Sequence, residues 1–189
     1  MKMYFTVIFT SLFISAILFT SCNSNDSVKQ ADATTVQSLD SAIATKVNGD
    51  DAQFAAAAAS GGMMEVEMGK LCADHSKNTE VKKFGVMMVE DHTKADNELT
   101  AIAANKNLML PVVMNDKDQK MYDDMKHKTG SDFDKTYINM MVMGHEEVLK
   151  AFQKEANEGK DADISSFATR TIQTIQKHLD AAKAAQKAV

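Results

Sequence analysis

The chain has 189 residues, with 21 Lys and Arg against 26 Asp and Glu and a formal charge of −5. This length fits one domain with or without a tail, and the acidic balance argues against a nucleic-acid-binding protein, which would need a basic face. One Pro, no Trp and 14 Met favour helices over a β-sandwich or barrel, because helix breakers and aromatic strand formers are both scarce. Two Cys exclude a scaffold held together by several disulfides.

Residues 1–21 are predicted to form a secretory signal peptide. Lys2 precedes an apolar stretch that runs from residue 4 to residue 19 and is closed by two small residues. Cys22 follows directly, as in the lipobox of bacterial lipoproteins, in which the cysteine becomes the acylated first residue of the mature chain. Phe19 stands where that motif usually has Leu, so an uncleaved anchor helix or an ordinary signal peptide is the alternative.

Residues 22–49 are predicted to form a flexible tether ahead of a folded domain at 50–187. The segment is rich in Ser, Asn, Asp, Thr and Gln, a composition that buries too little apolar surface to order itself. Val36, Leu39, Ile43 and Val47 have helical spacing, which leaves a short docked helix as the alternative. No second apolar run approaches the ~18–20 residues of a membrane helix, so we expect a domain tethered to a membrane by its acylated N-terminus.

Four amphipathic helices are predicted after the tether, at about 51–75, 80–105 and 131–159 and from 162 into the C-terminal Ala-rich stretch. Apolar or small residues recur in them at alternating steps of four and three, the spacing of a bundle seam. A short connection makes the first two helices antiparallel neighbours, whereas 107–130 is long, contains Pro111 and can hold a short helix capped by Asn115. The fold class is therefore all-α. Spacing alone leaves open whether the bundle is up-down-up-down or has the long crossover of a ferritin-like four-helix bundle.

Each predicted stripe carries one polar residue near its middle. These residues are Glu65, His92, His145 and His178. They lie at similar distances from their helix starts, so at ~1.5 Å per residue they can meet in one layer. Three imidazoles and one carboxylate suit a divalent transition metal such as Zn, Fe or Mn. The alternative is a hydrogen-bonded layer without metal, which fixes helix register in a structural or interaction module.

Five further residues are predicted to surround this layer, namely Met68, Met88, Met141, Asp91 and Asp96. The methionines fall one turn from the layer, and their thioethers with imidazoles would suit Cu(I), although Met is ordinarily a flexible core filler. The two carboxylates can orient the His92 imidazole, and Asp96 shares a helix face with it. Haem held by His and Met is a further alternative, without covalent attachment because no Cys-x-x-Cys-His is present.

Four segments of the chain resemble a secreted bacterial family. They are GGMMEVEMGKL (61–71), MVEDHTKADNEL (88–99), DFDKTYINMMVMGHEEVLKAF (132–152) and IQKHL (175–179). In order and spacing they are similar to the ferritin-like group catalogued as domain-of-unknown-function family 4142, whose members are often described as outer membrane proteins. The resemblance spans 50–185 and implies the ferritin-like bundle, with its long crossover between helices 2 and 3. The matching motif positions are Glu65, Asp91, His92, Asp134, Tyr137, His145 and His178.

The resemblance implies no reaction, and the residues indicate none. Di-iron ferritin-like proteins carry Glu-x-x-His on two helices, whereas Val89, Val142 and Ile175 stand three residues before the histidines here. A single inner carboxylate also does not suit a two-metal site. We therefore expect a lipid-anchored envelope protein, at the outer membrane and facing the periplasm, which binds a metal rather than acting as an enzyme. No protein partner is indicated.

Overall fold

A computed structural model describes residues 47–189, so the predicted signal peptide, Cys22 and most of the predicted tether lie outside the described residues. This part contains five helices and no strands, which confirms the all-α prediction. The helices are α1 (Gly49–His75), α2 (Thr79–Lys106), α3 (Asp116–Met125), α4 (Gly130–Glu158) and α5 (Ala162–Gln186). Within 47–189, no helix has the length and apolarity needed to cross a membrane.

Short polar side chains cap the N-termini of four of the five helices in 47–189. Asn48, Asn78, Asn115 and Asp161 cap α1, α2, α3 and α5, each accepting a hydrogen bond from a backbone N–H of the first turn. Asn107 ends α2 in the left-handed conformation, with φ of 53°, which Asn tolerates better than most residues. Because Val47 is buried and α1 begins at Gly49, the last residues assigned to the tether belong to the folded domain.

The four long helices form two antiparallel hairpins. Helix α1 packs on α2 and α4 packs on α5, while α2 also contacts α5 and α1 also contacts α4. At one end of the bundle, Asp51 of α1 accepts hydrogen bonds from the backbone N–H groups of Lys160 and Asp161, just before α5. At the other end, His75 Nδ1 donates to the carbonyl of Lys128, just before α4. Helices α1 and α5 therefore run one way and α2 and α4 the other, so the α2–α4 connection crosses the length of the bundle.

Helix α3 lies in this crossover, and hydrogen bonds of Ser60 link it to α1. The Ser60 hydroxyl donates to Asp118 Oδ2 at 2.5 Å and accepts from the backbone N–H of Asn115 at 2.9 Å. Asn115 in turn caps the helix by accepting from the backbone N–H of Asp118 at 2.9 Å. The short crossover helix with an Asn115 cap, predicted from the sequence, is thus confirmed.

The apolar core consists of two clusters, and the histidines of the predicted layer belong to neither. The first cluster contains Met68, Met88 and Met141, packed with Phe84, Phe133 and Tyr137. The second contains Leu99, Phe152, Ile164, Phe167 and Ile175. The three methionines predicted beside the layer are therefore part of the packed core on one side of it.

Helices α1 and α2 approach each other most closely at a pair of glycines. A Cβ on Gly69 would lie 2.7 Å from the backbone oxygen of Gly85, so only glycine allows this spacing. Gly62 serves a different purpose, since a side chain there would overlap the Asp96 carboxylate, whereas a Cβ on Gly61 would meet no atom within 4 Å. The glycines thus fix how α1 and α2 are spaced beside Glu65.

Candidate functional site

Three histidines from three helices converge in the middle of the bundle. His92 of α2, His145 of α4 and His178 of α5 each offer a ring nitrogen within 4.8 Å of the other two. His145 and His178 are fully buried, and the His92 side chain is 14% exposed. The alternating steps of four and three thus bring the predicted imidazoles into one layer.

Glu65 of α1 lies beside two of these histidines. Its Oε2 is 3.1 Å from His92 Nε2, and its Oε1 is 3.7 Å from His145 Nδ1. Burial raises the pKa of the Glu65 carboxyl, and nearby His145 opposes that shift. No Lys or Arg among residues 47–189 forms an ion pair with it, so its nearest polar partners are the imidazoles of His92 and His145.

Hydrogen bonds fix the proton positions on two of the rings. The Met141 carbonyl can only accept, so His145 Nδ1, 2.8 Å away, carries a proton. His178 Nε2 lies 2.9 Å from Asp91 Oδ2. Although partial burial raises the pKa of Asp91, hydrogen bonds from His178 and Lys177 lower it on balance. Because an ionised carboxylate also only accepts, His178 carries its proton on Nε2.

The remaining nitrogens of these two rings face each other. His145 Nε2 and His178 Nδ1 are 3.4 Å apart. Burial lowers the pKa of both imidazoles, that of His178 to about 4, so both rings are neutral near pH 7. Each facing nitrogen then presents a lone pair to the other, and a cation or a shared proton between them would relieve their repulsion.

The separation of these two nitrogens matches that of two ligands in a tetrahedral metal site. Two nitrogens bonded to zinc at about 2.0–2.1 Å with tetrahedral angles lie about 3.3–3.4 Å apart, and the distance here is 3.4 Å. A carbonyl behind His145 and a carboxylate behind His178 are the partners that orient metal-binding imidazoles. His92 adds a third neutral ring, because burial lowers its pKa to about 4. Its Nε2 lies 3.1 Å from Glu65 Oε2 but is not oriented to form a hydrogen bond with it.

The structure gives Asp91 and Asp96 positions that differ from those predicted. Asp91 contacts His178 of the neighbouring helix α5 rather than His92. Asp96 lies against Gly62, and burial with the nearby charge of Glu65 raises its pKa to about 7. Neither carboxylate hydrogen-bonds the His92 ring, and Asp91 instead faces α5 across the α2–α5 contact, which spacing along one helix does not show.

Two other motif positions, Asp134 and Tyr137, lie outside the layer. Tyr137 is buried in the first core cluster, where its ring packs against Phe133 and Phe84 at centroid distances of 5.5 and 5.9 Å. Burial raises the pKa of Tyr137 well above its usual value and that of neighbouring Cys72 to about 12. Neither group is ionised near pH 7, and both belong to the first core cluster rather than to the histidine layer.

A cavity of about 130 Å³ adjoins the layer on the side of the second core cluster. All four long helices line it, through Phe54, Ala57, Ala58, Gly62, Glu65, His92, Ala95, Asp96, Leu99, Val148, Ala151, Phe152, Phe167, Thr171 and Ile175. Its walls are apolar except at the Glu65, His92 and Asp96 end and at Thr171, whose hydroxyl donates to the Phe167 carbonyl. The sequence gives no sign of this cavity, because its walls follow the same pattern as a closed core.

Fold and site together define an all-helical bundle with a buried layer of three histidines and one glutamate. The chain belongs to the family described as Domain of unknown function (DUF4142), whose model matches residues 36–185. This confirms the resemblance of the four sequence segments. No curated protein and no solved structure matches the chain.

Proposed function

We propose that this protein is a metal-binding lipoprotein of the bacterial cell envelope, whose ferritin-like four-helix bundle holds one transition metal ion. The observation that supports the metal is the pair of facing lone pairs on His145 Nε2 and His178 Nδ1, 3.4 Å apart in a buried layer. A divalent cation there would replace their repulsion by two bonds. The charges of Glu65 and Asp91 would offset that of the ion.

The proposed ligands are His92, His145 and His178, with Glu65 as the fourth. Nitrogen and carboxylate donors suit Zn, Fe or Mn, and Cu(I) is a weaker match because it prefers sulfur. One carboxylate supports one metal ion rather than two. We therefore assign a metal-binding role and no enzymatic reaction.

The fold and the N-terminus support the remaining parts of the proposal. Two antiparallel hairpins joined by a crossover that spans the bundle are the arrangement of ferritin-like folds. Cys22, directly after an apolar stretch and two small residues, supports acylation and attachment to a membrane. Because one lipid chain alone binds only marginally, the anchor needs several chains on this cysteine. The location we propose is the outer membrane, with the bundle facing the periplasm.

A second function, a structural or interaction module, is favoured by the hydrogen bonds that already hold the layer. Met141 binds His145, and Asp91 joins His178 to Lys177. These contacts could fix helix register without a metal. The two functions differ in one measurable quantity, the metal content of the purified protein.

The experiment compares the full chain with two variants, all purified without a metal-binding tag. Metal content is measured by mass spectrometry, before and after loading with Zn, Fe, Mn and Cu(I). We expect about one equivalent of metal in the unmodified chain. The double variant His145→Ala with His178→Ala should hold none while its helical circular-dichroism signal persists. His127→Ala is the matched control, because it removes an exposed imidazole outside the layer, and it should keep the metal.

Unchanged metal content in the double variant would remove the proposed site. No metal in the unmodified chain after every loading would favour the structural module. The variant Cys22→Ser tests the lipid anchor separately, because it should release the chain from membranes. The metal proposal and the anchor proposal can therefore fail independently of each other.

A further inference from the structure

We propose that the cavity beside the histidine layer binds a small aromatic amine, with its ring among the apolar walls and its ammonium at the Glu65 and Asp96 end. This ligand is distinct from the metal ion proposed above. The cavity walls include Glu65 and His92 of the proposed metal ligands but neither His145 nor His178, so ligand binding can be tested in the metal-free protein.

The size and the walls of the cavity suit an aromatic ring. Its volume is about 130 Å³, and an apolar cavity of roughly 150 Å³ stays dry and binds benzene. Phe54 and Phe152 meet edge to face at a centroid distance of 4.8 Å, and Phe152 lies 6.1 Å from Phe167. A bound ring would extend this cluster and fill space that otherwise lacks partner atoms.

The polar end of the cavity suits a cation. Glu65 and Asp96 both face it, and no Lys or Arg of the described chain forms an ion pair with either carboxylate. His92 adds a buried Nε2 that lies 3.1 Å from Glu65 without forming a well-oriented hydrogen bond. An ammonium group has three donors, and by hydrogen-bonding both carboxyl groups it would favour their ionised forms. A ligand carboxylate would be repelled by the same pair.

Two small, exposed residues border the cavity between α1 and α4. Ala57 and Ala151 both line it and both reach solvent. Larger side chains at these positions would cover the opening. We therefore place the entrance at these two exposed alanines, between α1 and α4.

The test measures binding of benzylamine to the full chain by calorimetry, after chelator treatment, so that the result is independent of the metal proposal. Benzyl alcohol and benzoate are the matched probes, because they keep the ring and change only the polar group. We expect benzylamine to bind about tenfold more tightly than benzyl alcohol, and benzoate to show no binding. Asp96→Asn should weaken benzylamine binding about tenfold and leave benzyl alcohol unchanged.

Two variants test the location of the binding site. Ala58→Leu fills the cavity from inside, and Ala151→Leu covers its mouth at an exposed position that tolerates change, so the second serves if the first fails to fold. Each should abolish benzylamine binding, while the control Ala73→Leu, at an exposed alanine outside the cavity, should not affect it. Equal affinity for benzylamine and benzoate would overturn the proposal. So would unchanged binding in Ala151→Leu, or no binding of benzylamine to the unmodified chain.

Discussion

At the scale of single residues, one carboxylate decides which nitrogen of His178 can bind a metal. Asp91 holds the proton of His178 on Nε2, at 2.9 Å, and this leaves Nδ1 free to face His145. The Met141 carbonyl has the same effect on His145. Because both partners act on the nitrogen remote from the centre, the lone pairs point inward before any ion arrives, and the site is preorganised.

Asp91→Asn should weaken metal binding by about 10–100-fold. The amide still accepts a hydrogen bond from His178 Nε2, but the negative charge that makes the imidazole a stronger ligand is lost. Competition with a chromophoric chelator measures the affinity. Asp180→Asn is the control, since this exposed carboxylate of α5 bonds only to Gln176. Equal affinity in the two variants would mean that Asp91 plays no part in the site.

At the scale of helices, the α1–α2 hairpin places Glu65 against His92. The Gly69–Gly85 contact sets the helix spacing one turn beyond Glu65, and a Glu65–His92 distance of 3.1 Å follows from that close approach. A wider hairpin would separate the carboxylate from the imidazoles, whichever function they have.

Gly69→Ala should lower the free energy of unfolding by about 1–3 kcal/mol, because its Cβ would meet backbone that cannot move without separating the helices. Gly144→Ala is the matched control on α4, where a Cβ meets no atom within 4 Å. That change should raise stability by about 0.5–1 kcal/mol, as the chain loses freedom in the unfolded state. Chemical denaturation measures both, and a loss of stability of the same size in the two variants would contradict the role assigned to Gly69.

The helices were predictable from the sequence because their stripes are regular, and the cavity accounts for several exceptions to those stripes. Several residues predicted to face inward are only half-buried, among them Phe54, Ala58, Ala95, Val148 and Thr171. All five line the cavity. Periodicity gives the direction in which a side chain points, but it does not show whether the facing helices close the space between them. The partner of Asp91 was hidden for a similar reason, since it depends on which helix lies beside α2.

At the scale of the whole molecule, the buried layer combines histidines and carboxyl groups whose pKa shifts change stability with pH in opposite directions. His92 and His178 have pKa values lowered to about 4 by burial, so the folded protein resists taking up protons there. Glu65 and Asp96 have pKa values raised by burial, that of Asp96 to about 7, so the folded protein favours protons there. The histidines therefore reduce stability as the pH falls, and the carboxyls reduce it as the pH rises.

The histidine contribution should appear between pH 6.5 and 4 in the metal-free protein. An unfolded histidine takes up its proton near pH 6.5, whereas folded His178 does so only near pH 4. The unfolded state therefore binds more protons across this window, and the free energy of unfolding should fall by about 2–4 kcal/mol as the pH drops through it. His178→Gln should make this fall smaller, whereas Asp96→Asn should make it larger by removing a group that opposes it. Denaturation at pH 7 and pH 4.5 measures the difference, with His127→Gln as the exposed control expected to match the unmodified chain. A fall in His178→Gln as large as in the control would show that this histidine is protonated as readily in the folded state as in the unfolded one.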